Sequence, residues 1–140
     1  GLRAMNARGQ MSLVECGSHR LGKAAHFVCG MECGIMRVKY GDISHGKDAM
    51  LALEDEVGQL VSSFSRAYLL VDITHDAAKA TNFDPISTNP QRYLQTLQHY
   101  SNISGLTLIT HEGAEHGANL ILEIALNESR TDNIIHRLLG

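Results

Sequence analysis

The chain has 140 residues, 44% hydrophobic and 19% charged, the size and mix of one globular domain able to bury about two-thirds of its unfolded surface. Twelve Lys and Arg against fifteen Asp and Glu give a net charge of −3. No basic cluster tracks phosphates and no apolar run nears the roughly 20 residues that span a bilayer, so neither a nucleic-acid partner nor a membrane span is expected.

Residues 1–11 lack the apolar core of a signal peptide and read as an expression remnant or flexible N-terminus, which leaves 12–140 as a single domain. Three cysteines are too few and odd in number for a disulfide framework, and a reduced, cytoplasmic setting is expected. "SLVEC" (12–16) reads as a strand. "AHFVCGME" (25–32) and "GIMRVKYG" (34–41) alternate with period two and read as a β-hairpin turning near Glu32 to Gly34. Ser44 or Asp48 is placed to cap the next helix, whose stripe is Met50, Leu53, Val57, Leu60, Val61 and Phe64.

"AYLLVDI" (67–73) is apolar on both parities, as a strand covered on both faces would be. After an irregular stretch with Asp84-Pro85 and Asn89-Pro90, a helix runs from Pro90 to about Asn102 with the stripe Tyr93, Leu94, Leu97 and Tyr100. "GLTLIT" (105–110) reads as a second buried strand, parallel to 67–73 in the middle of a mixed sheet. A helix over about 115–127 would bury Leu120, Ile121, Ile124 and Ala125, and "NIIHRLL" ends the chain as a strand or a short helix. The order β-β-α-β-α-β-α gives an α/β fold: a mixed sheet opening with a hairpin, then alternating helices and parallel strands.

With "HFVCGMECGIMRVKYGDISHGKDAMLALEDEV" as hairpin, turn and first helix, and "AYLLVDI" as a central strand ending at Asp72, the chain resembles the STAS domain family over roughly residues 24–130. That family includes bacterial anti-sigma-factor antagonists. The resemblance implies a non-enzymatic bacterial regulatory or protein-interaction module without a cofactor, with a protein partner and with a homodimer allowed for. Where phosphorylated members carry an Asp-Ser-Ser-Gly-like signature, this chain reads "DPISTNPQRY" (84–93). By position, the partner face and any phospho-switch would fall at Ser87, Thr88, Gln91 and Tyr93.

The eight histidines are the main chemical resource. "LITHEGAEHG" (108–117) is not a zincin helix, because His111 and His116 are five apart, roughly 140° around a helix. His75 with Asp76, and His111 with Glu112, do each follow a buried strand at its carboxyl end, where open α/β sheets bind ligands. Together with His116 they would make a metal-dependent, anion-binding or small-ligand site if the strands are neighbours. Otherwise they are polar ends of strands leading into helices. A second constellation, Cys16, His19, His26, Cys29 and Cys33, imitates zinc-ligand spacing. Within one strand, however, His26 and Cys29 would face opposite sides, so ordinary thiols are favoured over a metal.

Overall fold

The computed structural model describes residues 15–16, 26–30, 32–75 and 84–139, with 15–16 and 131–139 described by backbone alone. The chain is α/β, with one five-stranded mixed sheet between two helical layers. Its elements are β1 (Glu15–Cys16), β2 (Phe27–Cys29), β3 (Cys33–Lys39), α1 (Tyr40–Ile43), α2 (Lys47–Ser63), β4 (Arg66–Asp72), α3 (Pro85–Thr88), α4 (Pro90–Ser101), β5 (Leu106–His111) and α5 (Gly113–Leu139). The strands lie in the sheet in their order along the chain. β1, β2 and β3 are antiparallel neighbours, and β3, β4 and β5 are parallel.

Period-two alternation sends the strand side chains to two cores. Met36, Leu69 and Val71 join Tyr40, Ile43, Leu53, Val57, Leu60 and Tyr100 beneath α1, α2 and α4. Cys33, Ile35 and Leu70 face the other way, onto Ile121, Ile124 and Ala125 of α5. The apolar run 67–71 on both parities therefore has its physical cause: β4 is covered on each face.

Several expectations shift. The hairpin turns at Gly30, whose φ of 69° suits the turn, and Cys33 and Gly34 already belong to β3. Gly34 is there for a different reason: a Cβ would lie 2.4 Å from the Phe64 ring, so the strand passes directly under that side chain. Among the described strands β5 lies at the end of the sheet, not in its middle, and Thr107 is exposed accordingly. The tail "NIIHRLL" continues α5 to Leu139. Neither Ser44 nor Asp48 caps α2, whose N-cap is Gly46; the Ser44 hydroxyl donates instead to the Gly41 carbonyl at the end of α1.

The irregular stretch before α4 contains a short helix set by its own caps. Asp84 accepts from the Ile86 N–H and Asn89 from the Arg92 N–H, with Pro85 and Pro90 at first-turn positions where a missing N–H costs nothing. In α4 the buried residues are Thr96 and Tyr100, whereas Leu94 points outward, 62% exposed. Among the described residues no helix is long and apolar enough to cross a membrane.

Candidate functional site

A buried polar cluster lies at the carboxyl ends of the three parallel strands. Arg37, Asp72 and His111 share the side-chain parity of Ile35, Leu70 and Ile109, so they extend the α5-facing core layer to the edge of the sheet. Asp72 and His111 are register partners, and each is almost fully buried. Buried polar groups at such an edge need partners, and these have them. The Arg37 guanidinium donates to Asp72 Oδ2 at 2.6 Å through Nη2 and to His111 Nε2 at 3.2 Å through Nε. Since Nε2 accepts, the proton of the neutral ring sits on Nδ1, which donates to the Gly113 carbonyl at 3.0 Å. Asp72 Oδ1 accepts from the N–H groups of Thr74 at 2.9 Å and Gly113 at 3.2 Å.

Burial opposes ionisation of Asp72, but the hydrogen bonds from Thr74 and Gly113, helped by His111, outweigh it and hold the carboxyl at about 2. Burial, reinforced by the Arg37 charge, pushes His111 below its usual value and favours the neutral ring. Asp72 therefore stands as a fixed anion at the N-terminus of α5, against a guanidinium. An exogenous phosphate or carboxylate would look for that same position. Gly117, one turn into α5, makes room for the cluster: a Cβ there would lie 2.8 Å from His111 Cε1 and 2.9 Å from Arg37 Nε.

The histidine-rich residues singled out in the sequence are only partly brought together. The His111 and His116 rings meet edge to face at 5.8 Å, and His116 Nδ1 accepts from the Glu112 N–H at 3.2 Å. The Glu112 and His116 side chains are exposed, while both nitrogens of His111 are engaged within the chain. His75 is exposed and its field reaches Asp84 at the start of α3; Asp76 lies outside the described residues. Arg37 and Asp72 were not singled out from the sequence as site residues. The available signal was an Asp closing a strand apolar on both parities and an Arg on the parity of Ile35.

Of the thiol constellation, His19 and the Cys16 side chain lie outside the described residues. Cys29 and Cys33 face one another across the hairpin register, both buried, while His26 is exposed and accepts from the Arg37 N–H. The hydrogen bond between the two thiols raises Cys33 and lowers Cys29. Among the described residues no three His, Cys, Asp or Glu side chains are placed to share a metal ion. With both thiols shielded, iodoacetamide should leave Cys29 and Cys33 unmodified in native protein and alkylate them only in denaturant. Peptide mapping by mass spectrometry reads this out, and rapid native labelling of either would contradict the burial.

At the start of α3, the exposed Ser87 hydroxyl donates to Asp84 Oδ2 at 2.5 Å; this bond leads the causes that hold Asp84 below its usual value. Thr88 and Gln91 are also exposed, and the half-buried Tyr93 packs edge to face on Tyr40 at 4.9 Å. All four predicted face residues thus lie in one continuous segment at the α3–α4 corner. No family model, curated protein or solved structure matches the chain, so its functional reading rests on these residues.

Proposed function

We infer that this chain is a non-enzymatic regulatory or protein-interaction module of the STAS-like, bacterial type, which meets a protein partner through the corner spanning residues 84–95. The observation that carries this reading is Leu94, a large apolar side chain 62% exposed in a segment whose other exposed residues are mostly polar, Ser87, Thr88, Asn89, Gln91 and Gln95. An apolar anchor with a polar surround is how protein interfaces are commonly built. The order of hairpin, helix and parallel strands adds support. The strand-end cluster supports an enzymatic alternative less well, because Arg37, Asp72 and His111 hold one another.

Ser87 supplies a means of control. A phosphate there would replace a hydrogen bond to Asp84 with repulsion between two anions, loosening the cap of α3 beside the partner face.

The test compares proteins captured from source cells by the wild type, by Leu94→Arg and by a control, Gln59→Arg, on the exposed side of α2. A partner retained by the wild type and the control but lost with Leu94→Arg, by about 2 kcal/mol or more of binding, is the expected result. An identical set of captured proteins for all three would end the proposal. For the switch, native protein without phosphate, together with Ser87→Asp leaving that partner's binding unchanged, would remove Ser87 from it.

A further inference from the structure

The two buried thiols take no part in the α3–α4 corner or in the strand-end cluster, and the backbone has brought them together. Cys29 ends β2 and Cys33 opens β3, and they are register partners in that antiparallel pair. Residues directly opposite one another on antiparallel strands have Cα atoms about 4.5–5.5 Å apart and side chains on one face. That separation falls inside the window a disulfide needs, roughly 4.4–6.8 Å. Cys29 is 2% and Cys33 0% exposed, and both sit in the core layer of Ile121, Ile124 and Ala125.

The two thiols are also hydrogen-bonded to each other. That bond lowers Cys29 and raises Cys33, so Cys33 donates its S–H and the Cys29 sulfur accepts, while burial and the Glu128 carboxylate oppose ionisation of both. Gly30 and Glu32, their neighbours in the turn, are exposed, so the pair lies one residue beneath the surface. A peroxide, little larger than water, needs only a slight opening of the turn to reach Cys29, whereas bulkier iodoacetamide needs more.

We propose that Cys29 and Cys33 form a two-electron redox site, a dithiol that hydrogen peroxide converts to a disulfide across the end of the hairpin. The Cys29 thiolate attacks one peroxide oxygen and the O–O bond breaks. Cys29 becomes a sulfenic acid, and the hydroxide released takes up the proton that Cys29 gave up, forming water. The Cys33 sulfur then attacks the Cys29 sulfur, the S–O bond breaks, and the departing hydroxide leaves with the Cys33 proton as a second water. Two thiols and one peroxide become one disulfide and two waters. The bond closes a ring of only five residues, which constrains the unfolded chain less than a longer loop would, so it is a readily reduced, reversible bond and not a staple.

The test treats the native full chain, as wild type and as Cys16→Ser, with hydrogen peroxide at neutral pH. Catalase removes the excess, and the protein is alkylated in denaturant and mapped without reduction. The expected product in both is a Cys29–Cys33 bond, two hydrogens lighter than the dithiol, which dithiothreitol returns to two alkylatable thiols. In the Cys16→Ser background, Cys33→Ala should leave no reversible product, with Cys29 passing on to sulfinic acid. Cys29→Ala there should slow oxidation of Cys33 by about tenfold or more, because the more acidic thiol is gone. Native thiols that stay alkylatable at a dose that oxidises the denatured chain would mark a plain core pair and end the proposal. So would sulfinic acid at either position without a cross-link, or a wild-type bond to Cys16 instead. The wild-type and Cys16→Ser maps decide this even where an alanine variant fails to fold.

Discussion

Asp72→Ala should lower the free energy of unfolding by about 3 kcal/mol, because it leaves a half-buried guanidinium without its carboxylate and two N–H groups without an acceptor. Asp72→Asn keeps an oxygen for the Thr74 and Gly113 N–H groups but loses the charge and turns an amide N–H group towards the Arg37 guanidinium, so it should cost somewhat less than Ala, about 2 kcal/mol. Urea unfolding at neutral pH measures both. The same pair predicts the acid limb of the stability curve. Asp72 has its carboxyl held at about 2 in the fold, against an ordinary 3.8, so its contribution is complete above about pH 4. It disappears as the pH falls towards 2, a loss of about 2 kcal/mol for a shift of this size. His111 acts earlier in the descent. Its folded value is depressed, so below about pH 6.5 the unfolded chain takes up a proton that the native ring refuses, and stability declines from there. Asp72→Asn should flatten the segment between pH 4 and 2 and leave the decline below 6.5 in place. An unchanged acid limb in the Asn variant would show that Asp72 does not have this role.

Two glycines inside helices should respond to alanine with opposite signs. Gly58→Ala should raise stability by roughly 0.5–1 kcal/mol, the ordinary helix-propensity gain, since its Cβ meets nothing. Gly117→Ala offers the same gain and should nevertheless lower stability by about 2 kcal/mol. Its Cβ would press on His111 Cε1 and Arg37 Nε, and neither can retreat at no cost: His111 is buried and bonded at both nitrogens, and Arg37 holds Asp72. Thermal or urea midpoints of the two variants, measured side by side, decide it. If Gly117→Ala stabilised the protein, the close packing of α5 over the cluster would be wrong.

The legible parts of the fold are those where one period dominates. The stripe Leu53, Val57 and Leu60 marks α2, and the run from Ala67 to Val71 marks a strand covered on both faces. The less legible parts depend on contacts between distant residues. Gly34 looks like a turn residue until Phe64, thirty positions later, is seen to occupy the space above it. Leu94 fits a helical stripe by spacing alone, but Thr96 and Tyr100 set the buried face and turn it outward. For the site, position at the strand ends was readable and partnership was not. His111 was recognisable as the end of a strand, whereas its engagement by Arg37, 74 residues earlier, depends on β3, β4 and β5 being neighbours in register. The paired histidines drew attention by type, although the residues that anchor the cluster are an arginine and an aspartate.

The serial strand order β1-β2-β3-β4-β5 bears on how fast the chain folds. Each described strand pairs with the next one along, across a tight turn at β2–β3 and across the helical crossovers 40–65 and 73–105 at β3–β4 and β4–β5, so no pairing among them skips a strand. The hairpin can form first and serve as a template, after which each helix–strand unit adds to the growing edge at little further entropic cost. Refolding on a timescale of roughly milliseconds, faster than for sandwiches whose strands pair across the whole chain, is the expected kinetic consequence.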